Sequence, residues 1–260
     1  MTEAEIIARF RARANPPPIL FRYRQPTQRT IDEISKHQIF AAKPSELNDP
    51  FEYAAPVFWN VDLMRRKFIE EFAPKRGLSP ADAAKEFESF HQSGKIKLLQ
   101  GIRQLKDFSG VICLSAIFNS IRMWSYYAQA HEGICIGFDT KLRPFNMALE
   151  VKYQNPDIPL DIIAATKNDP TEIAAHISLR KAEEWKFEGE YRIPISIGDN
   201  PRSIPFHPSA IKEIRFGARM NINLEFKDKL LEVISHLPHR PKLIQMGCDF
   251  DRFILTETVI

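Results

Sequence analysis

The chain has 260 residues, 44% of them hydrophobic and 11% aromatic, which is ample for a sizeable core in one domain, 1–260. Its formal charge of +3 is spread over interspersed acids and bases, so nothing is dense enough to read as a nucleic-acid interface. No apolar run approaches a membrane span, and the opening MTEAEIIARF lacks a signal-peptide core, so a cytoplasmic protein is expected.

In chain order, Thr2 to Ala14 reads as a short amphipathic helix, ended by Pro16, Pro17 and Pro18. Ile19 to Arg24 reads as a strand: Leu20, Arg22 and Arg24 project one way, Phe21 and Tyr23 the other. Two arginines on one face suit a solvated face. A capped helix at Thr30 to His37 leads to a second strand at Gln38 to Ala42. The following KPSELNDPFEY carries turn chemistry, with Asn48, Asp49 and Pro50 at its tip. That turn is either a structural one anchored by Leu47 and Phe51, or the wall of a cleft lined by Asn48, Asp49 and Glu52.

From Val61 to Phe108 the pattern turns helical and is expected to be an insertion or cap. One helix carries Leu63, Phe68 and Phe72. A second starts at Ser79-Pro80 and breaks at Gly94, and a third follows. Gly110 to Asp139 then reads as strand, helix, strand. Val111 to Leu114 and Ile134 to Phe138 are strand-length apolar runs. Between them, Asn119 or Ser120 can cap a helix that Gly133 ends, placing Trp124, Tyr127 and His131 on one face. Ser115 lies where the first of these strands ends. Cys113 and Cys135 sit mid-strand and, with Cys248, read as reduced thiols without C-x-x-C spacing. A nucleophilic role for either strand cysteine is the alternative.

Leu149 to Tyr153 is a further strand, with helices at Ile158 to Thr166 and Pro170 to Glu184. From Lys186 the chain alternates: Phe187, Gly189, Tyr191, Ile193, Ile195 and Ile197 form an apolar face, and Lys186, Glu188, Glu190 and Arg192 a charged one. Glu188 and Glu190 would lie about 6–7 Å apart. The charged face is either a wet surface on which Arg192 pairs Glu190, or part of a site. The tail offers a strand at Ile211 to Phe216, a helix at Asn223 to Leu237, and strands at Lys242 to Met246 and Phe253 to Thr256. His236 and His239 lack a third ligand at metal spacing, so helix-end roles are expected and no metal is predicted. Phosphate-loop, dinucleotide-fold, zincin and nucleophile-elbow motifs are absent.

Four segments in this order and spacing, LFRYR, PSELNDPFE, LSAIFNSIRMWSYYAQAHEGICIGFD and KAEEWKFEGEYRI, resemble the bacterial domain-of-unknown-function (DUF) 2971 family over about Leu20 to Gly217. The order of polar groups is also similar to that of ADP-ribosyltransferases of the Arg–Ser–Glu type. These carry an Arg on the first core strand, a Ser ending a later strand and a late Glu-x-Glu. That likeness implies an α+β fold with a mixed, mostly antiparallel sheet. It also implies an enzyme whose substrate is NAD and whose acceptor is an unknown macromolecule. Glu190 would stabilise the oxocarbenium-like transition state and Glu188 would position or deprotonate the acceptor. Ser115 would take the serine position, although the usual Ser-x-Ser/Thr is here Ser115-Ala116-Ile117. Arg22 or Arg24 would hold phosphates, and Trp124 or Tyr127 would flank the nicotinamide. Asn48, Asp49, His131, Trp185 and Arg192 complete the expected ligand-binding set. Two other classes remain open. One is a non-catalytic ligand-sensing or interaction module, as in phage defence. The other is a metal-dependent nuclease using Asp49, Glu52, Glu188 and Glu190.

Overall fold

The structure is a computed structural model that describes residues 12, 14–53, 61–154, 175, 177–196 and 202–260. Nearly all of the helix expected at Thr2–Ala14, the whole of that at Ile158–Thr166 and residues 170–174 and 176 of that at Pro170–Glu184 lie outside the described residues. In order, the elements are β1 (Ile19–Arg24), α1 (Gln28–Ser35), β2 (Gln38–Phe40), α2 (Val61–Lys67), α3 (Pro80–Phe108), β3 (Ser109–Ser115) and α4 (Ile121–Tyr127). There follow β4 (Ile134–Asp139), β5 (Leu149–Glu150), β6 (Lys152–Gln154), β7 (Arg180–Ala182), β8 (Glu190–Ser196) and β9 (Ser203–Pro205). The chain closes with β10 (Ile211–Phe216), α5 (Leu224–Ser235), β11 (Lys242–Asp249) and β12 (Ile254–Val259).

Among the described residues, eight strands form one sheet in the order β12-β11-β10-β4-β1-β3-β8-β5. Every neighbouring pair is antiparallel except β10 and β11, which are joined through α5. A parallel pair needs such a crossover, whereas antiparallel neighbours need none. The fold is therefore α+β around a mixed, mostly antiparallel sheet, the class that the resemblance implies. β4 is central and apolar on both faces. Ile134, Ile136 and Phe138 join the main core with α1 and α5, while Cys135 belongs to the core beneath α4.

Several boundaries differ from the sequence pattern, each for a local reason. Gly94 does not break the long helix: α3 runs unbroken for 29 residues. A mid-helix glycine costs only about 1 kcal/mol relative to alanine. A small core of Phe68, Ala73, Ala83 and Phe87 holds the start of this helix against the preceding turns. The helix α4 is capped by Ser120, whose Oγ accepts from the Met123 amide at 3.3 Å, but it ends at Ala128 rather than Gly133. Gln129, Ala130 and His131 all take positive φ, a left-handed turn that the spacing alone could not reveal. Phe51 does not anchor its turn: it is 71% exposed, while Glu52 and Tyr53 are buried. The expected strand at Leu149–Tyr153 is interrupted at Val151, and the expected helix end at Glu184 is replaced by β7 and a 3-10 turn, Glu183–Glu188.

The turn 129–131 is locked by the strand opposite. The Arg219 amide donates to the His131 carbonyl at 2.9 Å, and Gly217 passes so close that a Cβ there would stand 2.1 Å from that same oxygen. Gly217→Ala is expected to lower stability by more than about 2 kcal/mol, because backbone rather than a flexible side chain must yield. Gly101→Ala, in open space on α3, should leave stability unchanged or raise it. Denaturant midpoints of the two variants measure the contrast.

Candidate functional site

The site begins with a defect in the sheet. β1 and β3 share a single ladder pair, Phe21 with Ser115, and then diverge. Ala42 instead bridges to Val111, bringing the segment after β2 alongside β3. The opening holds a cleft of about 230 Å³ whose wall includes Arg22, Arg24, Asn48, Glu52, Ser115, Tyr127, Lys181, Glu188 and Glu190. Four separate stretches of chain supply these groups.

One wall is a buried charge cluster. Arg192 is fully buried and uses all five of its N–H donors. Its Nε and Nη2 donate to the two Glu190 oxygens at 2.9 Å. Nη1 and Nη2 donate to Glu52 at 2.8 and 2.5 Å, and Nη1 also donates to the Ser178 carbonyl at 2.9 Å. Lys181 Nζ donates to Glu188 at 2.5 Å and stands 3.5 Å from Glu190 and 3.6 Å from Glu52. The Tyr127 hydroxyl donates a short bond to the other Glu188 oxygen and accepts from Asn48 Nδ2 at 2.8 Å. The Tyr153 hydroxyl accepts from the Glu190 amide at 2.7 Å.

The environment separates the two glutamates of the Glu-x-Glu. Burial opposes ionisation of Glu190, but Arg192 and Lys181 outweigh it and hold its carboxyl at about 2. Burial raises Glu188, with Lys181 opposing and Glu190 reinforcing the rise. Burial likewise raises Glu52, against the pull of Arg192. Lys181 has its proton held more tightly than usual: burial opposes its charge, and the surrounding glutamates more than compensate. Two carboxylates pushed in opposite directions within one cleft are what acid–base chemistry needs.

The second wall is cationic. Arg22 and Arg24 do not face solvent: they turn to the α1 side of the sheet, where both pair with the buried Glu33. Arg22 Nη2 also donates to the Phe40 carbonyl at 2.9 Å. Two guanidinium groups against one carboxylate leave a net positive charge. Arg22 Nη1 and Arg24 Nε are buried without a hydrogen-bond partner. Burial and the adjacent Arg22 lower the Arg24 pKa to about 10.

Of the sequence-nominated residues, the cleft brings together Arg22, Arg24, Asn48, Ser115, Tyr127, Glu188 and Glu190. Arg192 backs it through Glu190 and Glu52. Ser115 spends its hydroxyl on backbone, donating to the Glu188 carbonyl at 2.5 Å and accepting from the Ile117 amide at 2.9 Å. The remainder lie elsewhere. Trp124 is fully buried, donates Nε1 to the Phe118 carbonyl at 2.8 Å and meets Tyr23 edge-on. His131 stacks on Trp124, outside the cleft wall, because the helix ends before it. Asp49 caps its own turn through the Phe51 amide at 2.9 Å. Trp185 lies beside the cleft, with Lys181 Nζ 4.6 Å from its ring centre.

Glu188 and Glu190 are not strand neighbours on a wet face. Glu188 ends the 3-10 turn, Gly189 takes a left-handed φ of 50°, and β8 starts at Glu190. Lys181 is the cleft residue that the sequence pattern missed, since a lysine amid helix-like residues reads as solvated. His236 caps the end of α5, as expected, and His239 bonds the Ile211 carbonyl at 2.7 Å. Among the described residues no group of three His, Cys, Asp or Glu is placed to hold a metal ion. Lys181 and Arg192 occupy the positions between the glutamates that a nuclease reading would give to a cation. Among the described residues, no helix is long and apolar enough to cross a membrane.

The sequence model of a family described as "Protein of unknown function (DUF2971)" matches residues 123–193. That stretch contains most of α4 together with Lys181, Glu188, Glu190 and Arg192, and is narrower than the likeness drawn over Leu20–Gly217. No curated protein and no solved structure matches the chain.

Proposed function

We propose that this chain, a member of the DUF2971 family, is an ADP-ribosyltransferase-like enzyme that breaks the glycosidic bond of NAD. The observation that carries this reading is one of register. Ser115 pairs with Phe21 on one side and Glu190 on the other, so the arginine strand, the serine and the acidic strand are lateral neighbours around one cleft.

In this reading the bond between the ribose C1′ and the nicotinamide nitrogen breaks, and its electron pair leaves with the nicotinamide. Glu190, held ionised by Arg192, stabilises the positive charge that develops on the sugar. The acceptor, a macromolecular hydroxyl or carboxylate or else water, bonds C1′. A proton released from a hydroxyl or water acceptor passes to Glu188, whose raised proton affinity suits a general base. The surplus positive charge of Arg22 and Arg24 faces the phosphates. Ser115 acts through backbone, fixing the carbonyl of Glu188. Nicotinamide release by the purified protein, with and without Glu190→Gln, tests the assignment, and equal rates would end it.

One observation favours a second reading. Each of the three glutamates is already bonded by Lys181 or Arg192, as in a static ligand-sensing pocket. Tight NAD binding without nicotinamide release, unchanged in Glu190→Gln, would select it.

A further inference from the structure

An aromatic platform adjoins the cleft. Tyr126 and Tyr127 end α4. Trp185 and Phe187 lie on the 3-10 turn that leads to Glu188. Phe187 is the hub: its ring centre is 5.9 Å from that of Tyr126 and 6.0 Å from that of Trp185. Tyr126 is 60% exposed, and Trp185 and Phe187 are half-buried. Two cations flank the rings: the Arg122 guanidinium 4.8 Å from the Phe187 centre, and Lys181 against Trp185. Two residues belong to platform and cleft alike. Tyr127 lines the cleft and meets Tyr126, while Lys181 lines it and meets Trp185.

From this geometry we infer that Trp185, with Tyr126 and Phe187, forms a nucleobase-stacking subsite for the adenine end of the dinucleotide. The inference rests on the proposed NAD reading and extends it. A cleft of about 230 Å³ takes one ring and its sugar, at the small end for a ligand site. The other half of a dinucleotide must then lie outside, on adjoining surface. An apolar ring with a cation beside it fits a base with phosphate attached: the ring supplies a π face, and the Arg122 guanidinium supplies the charge.

The test is isothermal titration in the Glu190→Gln background, in which turnover is expected to be slow on the time scale of the titration. NAD, nicotinamide mononucleotide and adenosine monophosphate are the probes. Trp185→Ala is expected to weaken NAD and adenosine monophosphate by about tenfold or more, with nicotinamide mononucleotide changed less than about twofold. Trp185→Phe, which keeps a π face over Lys181, should restore most of the affinity. Circular dichroism checks that each variant is folded. The subsite is overturned if Trp185→Ala leaves NAD binding unchanged, or weakens nicotinamide mononucleotide equally, which would assign Trp185 to the cleft through Lys181. If adenosine monophosphate binds in a Trp185-dependent way while nicotinamide mononucleotide does not bind, the subsite stands and the NAD-cleavage reading fails. If neither adenine probe binds, the subsite fails.

Discussion

Arg192→Leu is expected to cost about 3–5 kcal/mol of folding stability. The guanidinium is wholly buried and makes bonds with all five donors, four of them to Glu52 and Glu190. Leucine fills much of the volume but leaves two buried carboxylates facing each other without their main cation. Only Lys181, at 3.5 and 3.6 Å, remains to share between them. An unpaired buried charge is far more expensive than the pair that contained it. Arg192→Lys should recover part of the loss, since an ammonium restores charge but cannot grip two carboxylates edge-on. The measurement is the denaturant midpoint at unchanged slope. By contrast, Arg76→Leu breaks an ion pair with Glu86 that is largely in water, and its midpoint should hardly move. An Arg192→Leu midpoint equal to wild type would mean that the cluster is hydrated and that the cleft has no charged wall.

Glu190→Gln is expected to lower the rate of nicotinamide release by about 10²–10³, the usual loss when one preorganised electrostatic contact to a developing charge is removed. The amide still accepts a hydrogen bond from Arg192, so the fold should survive well enough for rates to be compared. Stability then supplies an independent readout. Glu190 ionises at about 2 in the folded protein against an ordinary 4.5. A depressed carboxyl stabilises the fold above the unfolded pKa and loses that contribution as pH falls through the folded one. The contribution, about 3 kcal/mol at neutral pH, is thus complete above about pH 5 and gone near pH 2. Glu52 and Glu188, raised by burial, work in the opposite sense and favour the fold when protonated. The difference in denaturant midpoint between wild type and Glu190→Gln should therefore shrink as pH is lowered from 5 to 2. A difference that stays constant over that range would remove Arg192 and Lys181 as the groups that hold Glu190 ionised.

Much of the sheet was legible because its strands obey simple periodicity. Ile19–Arg24 and Ile211–Phe216 begin and end where the residue pattern says: the first alternates after its start and follows Pro18, and the second runs into Gly217. The start of α4 was legible in Ser120. Its end was not, because three residues without glycine adopt left-handed angles in a turn held by backbone bonds and by the close passage of Gly217. For the same reason His131 meets Trp124 from beyond the end of the helix rather than along its face. The Glu-x-Glu drew notice as a chemical pair, yet its alternation suggested a wet strand face. The actual left-handed Gly189 places Glu188 on a turn, and both carboxylates are buried. Lys181 was invisible: its meaning comes from glutamates at positions 52, 188 and 190, and no local pattern links them.

By itself the amino-acid sequence determined the α+β composition, most strand positions, and the nomination of Arg22, Arg24, Ser115, Tyr127, Glu188 and Glu190. The composition and strand positions follow from local propensity and alternation, which act over a few residues, and the nominations from the order of polar groups along the chain. Only the tertiary structure decided that β1 and β3 part after one ladder pair, that Arg192 joins Glu52 to Glu190, and that a cleft forms there. The physical reason is that burial, and with it the strength of every charge interaction in that wall, depends on segments as far apart as residues 22 and 192 excluding water together.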